Sequence, residues 1–397
     1  MMFVIDIVHY LIIAYFGFSV AYIFLFAVSS YFFKSSPEKA NPKLNKFLIL
    51  IPAYKEDAII LNTAHNAVKQ DYPEDLFDVY IIADSLKPET IRQFKEEEIN
   101  CIEVSFAQST KARSINKALK TIKEEYDAVV ILDADNIMEN EFLHKVNYAF
   151  ANGHKAIQGH RVAKNLDSQF AILDGISEEI NNTIFRKGHV AIGLSSALIG
   201  SAMAFDYHLY KTIMDDIDTF ADEDKELEIK IFLSRNKIEY LNHAFVYDEK
   251  VSNSEIFVKQ RSRWISSQIY YARTFLFRSI RELILRGNVD LFNKILQFLL
   301  VPRIMLLGFS GIFTVASFFI DDNTFFYSWL TIFSACILTL IIAVPKKHYN
   351  KSTLVAITRL PYGFLMMILA TVKMKLGHKR LSPTPHSTSS DSINKKK

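Results

Sequence analysis

Residues 10–33 carry no charged side chain, and a helix of that length crosses the roughly 30 Å hydrocarbon core of a bilayer. Such a run confines the chain after it to one side of a membrane. Lys34, Lys39, Lys43 and Lys46 come directly after it and no Lys or Arg precedes it. The excess of cations on the inner side of membrane segments therefore sets the amino terminus outside and the next two hundred residues in the cytosol. A cleaved signal peptide is the competing reading, but the run lacks a basic leader and exceeds the usual apolar length. Half of all residues are apolar and 13% aromatic, with 32 Phe, so further membrane segments are expected.

Three short apolar runs, "KFLILIPAYKED", "DVYIIADS" and "YDAVVILDADN", are each separated from the next by a helical pattern. That alternation predicts an α/β domain with a doubly wound, mostly parallel sheet over residues 45–250. Ligands of such sheets bind beyond the carboxyl ends of the strands, where Glu56, Asp84, Asp133 and Asp135 fall. After it come the "KQRSRWISSQ" stretch and an arginine-interleaved amphipathic segment, residues 251–290, expected to lie along a membrane surface. Residues 291–372 hold two apolar crossings plus a third segment, 352–372, interrupted by Arg359 and Pro361 and read either as a third crossing or, in better agreement with the basic stretch after it, as an interfacial or re-entrant helix. Asp321 and Asp322 between the crossings, and Lys346, Lys347 and Lys351 after them, agree with the same orientation. Residues 373–397 are a basic tail of disordered composition. The whole is expected to be a multi-pass protein of the plasma (inner) membrane.

Net charge is only +3, which gives no basis for a nucleic-acid partner. Cys101 and Cys336 stand far apart and outside any metal-ligand spacing. Asp133 and Asp135, two apart at the end of an apolar run, place two hard oxygen donors on one face, suited to Mg²⁺ or Mn²⁺ and a diphosphate; acids there also cap the following helix. The turn after the first strand, "PAYKED", has no glycine fingerprint, so a nicotinamide cofactor is not expected, although Glu56 and Asp84 suit a nucleoside. Lys111 and Arg113 open a helix and suit phosphate oxygens, or simply a solvated face. Asp222, Glu223 and Asp224 open another helix, where acids complement its dipole and where one carboxylate can accept a hydroxyl proton. Gly200 and Ser201 in "LIGSAMAF" are small enough for the backbone to approach a ligand. In "KQRSRWISSQ" helical spacing puts Gln260, Arg263 and Trp264 on one face, suited to a diphosphate and a pyranose, with Arg261 about 100° away toward lipid phosphates.

These motifs together resemble the membrane-bound family 2 glycosyltransferases, the branch that includes cellulose, hyaluronan and chitooligosaccharide synthases. "PAYKE", "ADS", the Asp133 and Asp135 pair, "DED" in place of Thr-Glu-Asp, and "QRSRW" for Gln-x-x-Arg-Trp occur in the family's order across residues 46–268. The resemblance implies a GT-A type fold, a UDP-sugar donor, a divalent metal (Mg²⁺ or Mn²⁺) and inversion at the anomeric carbon. It implies that Glu56 and Asp84 contact the uridine, and that Lys111 lies in the basic motif before the metal pair. It assigns Asp133 and Asp135 to diphosphate and metal, Asp224 to the catalytic base, and the Gly200 and Ser201 segment to a substrate pocket. Asp222 departs from the usual Thr, and Ser266 from the Gly that often follows the tryptophan.

Three functions stay open: a processive synthase, a transferase adding one sugar to a lipid-linked acceptor, and an inactive scaffold or nucleotide-sensing subunit of an export complex. The first two imply a UDP-sugar, a glycan or lipid-linked acceptor and membrane lipid as partners, with an export or accessory subunit compatible with either. N-acetylglucosamine is the first sugar to consider, on the resemblance to chitooligosaccharide synthases alone.

Overall fold

A computed structural model describes residues 2–37, 42–218, 222–250, 254–320 and 323–374. Asp321, Asp322 and the tail beyond residue 374 lie outside them. Eight strands form one sheet: β1 Phe47–Tyr54, β2 Phe77–Asp84, β3 Asn100–Val104, β4 Ala128–Ile131, β5 Ile137–Met138, β6 Ala156–Ala163, β7 Met203–Asp206 and β8 Ile238–Asp248. Their order is β3-β2-β1-β4-β7-β6-β8-β5. The half containing β3, β2, β1 and β4 is wholly parallel. The other half is mixed, because β7 runs antiparallel to both β4 and β6, and β5 antiparallel to β8. β6 and β8 pair in parallel, so six of the eight strands run the same way and the sheet is mostly parallel, with β5 and β7 reversed.

The strands are apolar on both faces, as strands covered by helices on both sides must be. From β1, Leu48 and Leu50 enter one core together with residues of the helices Lys111–Thr121, Tyr207–Asp215 and Glu223–Leu233. Phe47, Ile49 and Ile51 enter the opposite core against Ile60–Ala67, Pro88–Glu96 and Phe142–Ala151. The first core also takes in Tyr271 and Ala272 of the 33-residue helix Ser254–Arg286, and Leu291, Ile295 and Phe298 of Val289–Leu299. The "KQRSRW" segment and the amphipathic stretch are one continuous helix, docked on the sheet domain.

Chain order reverses between β1 and β4: β2 and β3 build outward on one side, β4 and the later strands on the other. Ligand crevices form at such a switch point. Antiparallel β7 brings its amino end to the same edge, since Met203 pairs with Ile131, so residues 200–202 arrive beside the chain leaving β4.

A third apolar cluster joins Phe16, Val20 and Ile23 of the helix Met2–Ser29 to Ile176, Ile180, Ile184, Leu306, Trp329 and Cys336. Asp6–Phe32 and Asn323–Ala343 are helices long and apolar enough to cross a membrane. The other two apolar segments are broken: Val289–Leu299 and Arg303–Phe318 meet at 52°, and Lys351–Ile357 and Leu360–Lys373 at 50°. Pro302 ends regular hydrogen bonding at the first break, where Arg303 donates to Ser177 O and Oγ at 3.1 Å and Asn181 Oδ1 at 2.8 Å. His189 sits buried between Tyr22 Oη (3.2 Å) and Gln297 Nε2 (3.3 Å), and burial pushes its imidazole down to about 3, so it is neutral.

Gly188 fixes how closely the first helix approaches. A Cβ there would fall 2.1 Å from the Phe26 carbonyl oxygen, against backbone that cannot rotate away. Gly188→Ala should therefore cost about 1–3 kcal/mol, read as an earlier thermal transition in detergent; an unchanged transition would mean the two helices separate freely.

Candidate active site

A cleft of 1150 Å³ opens over the carboxyl ends of β1, β2 and β4 and extends to the helices Gln169–Asn181 and Ser254–Arg286. Glu56, Asp84, Lys111, Asp133, Asp135, Gly200, Asp224, Gln260, Arg263 and Trp264 all line it. The structure thus brings the sequence-selected residues to one surface, Asp222 and Glu223 included, with Arg113 and Ser201 the exceptions. Carboxylates outnumber cationic side chains along its walls.

Immediately past β1 and β2 the backbone turns left-handed at Lys55 (φ 58°) and Ser85 (φ 60°). Non-glycine residues enter that region at a cost, and such positions cluster at ligand sites. The Lys55 amide donates to the Asp84 carbonyl at 3.1 Å, tying the two turns together. The Asp84 carboxylate is almost fully buried and accepts the hydroxyls of Ser85 and Ser109 at 3.0 Å and of Ser114 at 3.1 Å. Ser109 and Ser114 bracket Lys111 in "STKARS", so one helix start orients Asp84 and supplies the lysine. Arg113, from the same turn, points elsewhere and pairs with Asp218 at 2.6 Å.

β4 stops at Ile131, so Asp133 and Asp135 stand in the turn beyond it and not on the strand's pleat. Hydrogen bonds aim them instead. Asn136, wholly buried, donates to Asp135 Oδ1 and to Asp248 Oδ1 at 2.9 Å each, and its amide donates to the Asp133 carbonyl at 3.1 Å. Ser201 Oγ accepts the Asp133 amide at 2.9 Å and donates to Asn136 Oδ1 at 2.6 Å. Ser201, expected to meet substrate, is fully buried and braces this turn from behind; from "LIGSAMAF" the cleft is lined by Leu198, Ile199 and Gly200.

Lys111 Nζ donates to Asp133 Oδ1 and to the Gly200 carbonyl (2.6 Å) and lies 3.5 Å from Glu223 Oε1. Burial opposes its charge, but Asp133 and Glu223 outweigh burial and raise its pKa, so the ammonium stays protonated. Burial pushes the Glu223 carboxyl upward, with Lys111 opposing. Gly200, at φ 85°, passes so close to Asp224 that a Cβ would lie 3.7 Å from Oδ2. Asp224 Oδ1 accepts the Lys225 amide at 2.9 Å. Asp222, at the departure from the usual Thr, pairs with Lys225 and has Arg263 Nε 3.2 Å from Oδ1. Burial alone would raise its carboxyl, but these two cations hold it below the usual range.

Arg261 corrects an expectation. It does not face lipid: its guanidinium lies 4.3 Å over the Trp264 ring and 5.0 Å from the Phe257 centroid, and Nη2 is 2.5 Å from Asp174 Oδ1. Other residues of the far wall carried no sequence signal. Asp248 pairs with Lys250 at 2.6 Å, and Arg161 lies 3.7 Å from Asp248 and 3.2 Å from Glu178, which Arg186 meets at 3.0 Å. Burial would raise the Glu178 carboxyl, but Arg161 and Arg186 hold it well below the carboxylate range. Asn136 alone was within reach of the sequence, adjoining the acid pair in "DADN".

Among the described residues no three His, Cys, Asp or Glu gather as a metal cage. Asp133 and Asp135 still fit a hard divalent cation, because such an ion in a phosphate site needs only one or two carboxylates and completes its shell from phosphate and water.

The strand order and the cleft at its switch point make a GT-A architecture. The chain belongs to the family described as Glycosyltransferase like family 2, whose model matches residues 42–267. Its fold is similar to that of the mannosyltransferase PcManGT from Pyrobaculum calidifontis, solved with GDP-Man and Mn²⁺, at a TM-score of 0.58 and 16% identity over 91% of this chain and 95% of that one. It is 22% identical over 261 residues to the probable glycosyltransferase YdaM of Bacillus subtilis, covering 63% of this chain and 61% of that protein. It is 26% identical over 230 residues to the beta-monoglucosyldiacylglycerol synthase of Trichormus variabilis, covering 54% of this chain and 47% of that protein. The chain thus spans about half to three fifths of the length of these relatives.

Removing the Lys111 ammonium leaves Asp133 and Glu223 without their shared cation. Lys111→Met should cost about 1.5–3 kcal/mol of stability, and added Mn²⁺ should raise the variant's melting temperature more than the parent's, because the ion takes the vacated place on Asp133. Equal Mn²⁺ responses would show that Lys111 does not guard that carboxylate.

Proposed function

We propose that this enzyme transfers a sugar from a UDP-sugar to a lipid-borne acceptor at the cytosolic face of the plasma membrane, inverting the anomeric carbon, with N-acetylglucosamine the first sugar to test. The observation that carries this reading is the convergence of Lys111, Asp133, Asp224, Arg263 and Trp264 on one cleft whose far wall, Gln169–Asn181, packs against the apolar helices.

In this reading the acceptor hydroxyl oxygen bonds to the anomeric carbon as the bond from that carbon to the β-phosphate oxygen breaks, its electron pair leaving with UDP. The hydroxyl proton goes to Asp224, whose Oδ1 is held by the Lys225 amide and whose Oδ2 lies toward Gly200. Lys111 and Arg263 oppose the charge growing on the diphosphate. Asp133 and Asp135 hold the divalent cation, which supplies further positive charge there when bound. Asp84, fixed by three serine hydroxyls, and Glu56 hold the nucleoside. The acidic balance of the cleft supports a cation requirement, because a diphosphate entering it adds negative charge to negative charge.

The multi-pass arrangement with the amino terminus outside belongs to the same proposal and rests on the cation distribution and the two long apolar helices. A lipid-borne acceptor is favoured over a polymer because Phe16, Phe313 and Trp329 interlock between the apolar helices, with centroids 4.6–6.2 Å apart. The Trichormus relative is named for a glycolipid product. Purified protein incubated with Mn²⁺, a panel of UDP-sugars and total membrane lipid should yield a lipid carrying one added sugar by mass analysis. A polymer ladder would establish the processive reading instead, and tight UDP binding without UDP release would establish a sensing subunit.

Asp224→Asn keeps the shape but cannot take the proton, so turnover should fall by roughly 10² to 10⁴ while UDP affinity stays. Parallel loss of UDP binding would move Asp224 to the donor pocket. Excess chelator should abolish UDP release and Mn²⁺ or Mg²⁺ restore it; full activity in chelator would remove Asp133 and Asp135 from a metal role.

A further inference from the structure

We propose that Asp174, Arg261 and Trp264 form a single subsite for the acceptor's pyranose ring, with Asp174 as the hydroxyl-binding carboxylate and Arg261 as the residue that positions both partners. The proposal rests on the reading of the protein as a sugar transferase and adds residues that the family motif does not assign.

Three observations carry it. Trp264 and Asp174 both line the cleft, although they come from different helices, Ser254–Arg286 and Gln169–Asn181. The Arg261 guanidinium joins them: it lies 4.3 Å over the indole and 2.5 Å from Asp174 Oδ1. Phe257, one turn earlier, flanks the same guanidinium at 5.0 Å and meets Phe170 edge to face at 6.2 Å. Arg261 is thus held by two aromatic rings and a carboxylate, with both ionic side chains about 15% exposed.

The chemistry rests on the atoms each group has left to offer. A guanidinium stacked on one side of the indole fixes the ring plane, so Trp264 presents to the cleft a preset apolar surface suited to the C–H face of a pyranose. Asp174 Oδ1 is engaged by Arg261, which orients the carboxylate and leaves Oδ2 as an acceptor for sugar hydroxyls. An aromatic plane beside a fixed acceptor matches a ring that is apolar on its faces and polar at its rim. Lysine cannot replace Arg261 fully, since a point ammonium lacks the planar face.

The test uses the full-length protein in detergent with Trp329→Phe, which leaves Trp264 as the only indole of the chain's two. Iodide quenching of Trp264 is followed in the presence of Mn²⁺ and UDP, with and without cellobiose or chitobiose as probes. One of the two disaccharides should protect Trp264 in this parent. Arg261→Met and Asp174→Asn should each weaken that protection about tenfold in disaccharide concentration, the loss of one charge-assisted hydrogen bond or its support, while UDP affinity stays within about twofold. Arg261→Lys should fall between. Arg261→Met should also raise quenching without sugar, because the indole loses its cover. Absence of protection by either disaccharide in the parent, or equal protection in all variants, overturns the subsite. UDP affinity that falls in step with protection would reassign these residues to the donor side. Failure of the parent to transfer any sugar to lipid would instead strike the proposed function, leaving the quenching result to decide the subsite.

Discussion

The ammonium group of Lys111 holds the site together. It contacts Asp133 from the turn after β4, the Gly200 carbonyl from the loop before β7, and Glu223 from the first turn of the helix Glu223–Leu233. Without that charge three electronegative groups from distant parts of the chain would face one another in a partly buried place, where uncompensated charge is costly. The lysine can reach all three only because β7 runs antiparallel to β4 and so delivers its leading loop to the edge where β4 ends. A wholly parallel sheet would have sent residues 200–202 to the opposite edge.

Around this cation stand further acids. Those of the far wall, Glu178 and Asp248, are matched by Arg161, Arg186 and Lys250 within the protein. Across the whole lining, carboxylates still outnumber cations. Asn136 and Ser201 orient the acid pair through neutral hydrogen bonds, without adding charge.

The apolar helices are continuous with this arrangement. Gly188 brings the first helix against a segment that carries Arg186 into the cleft wall, and Arg303 ties the start of its helix to Ser177 and Asn181. Tyr271 and Phe298 enter the first apolar core of the sheet domain directly.

Much of the fold and the site was legible in advance. Strand runs apolar on both faces, short acids after them and the absence of a glycine fingerprint are local properties, so the doubly wound first half, and the places of Glu56, Asp84, Asp133, Asp135, Lys111 and Asp224 at strand or helix ends, could be read from sequence. The uncharged runs likewise set the long apolar helices, because hydrocarbon exclusion depends on length and composition alone. The sequence could not decide the pairing between distant segments. Strand direction in the second half, the inward turn of Ser201, the bracing by Asn136 and the capture of Arg261 by Asp174 depend on which surfaces meet. Helical periodicity placed Arg261 off the Gln260, Arg263 and Trp264 face and so toward lipid, but periodicity describes one helix. Only the packing of Gln169–Asn181 against it brought the Asp174 carboxylate to an arginine flanked by two aromatic rings.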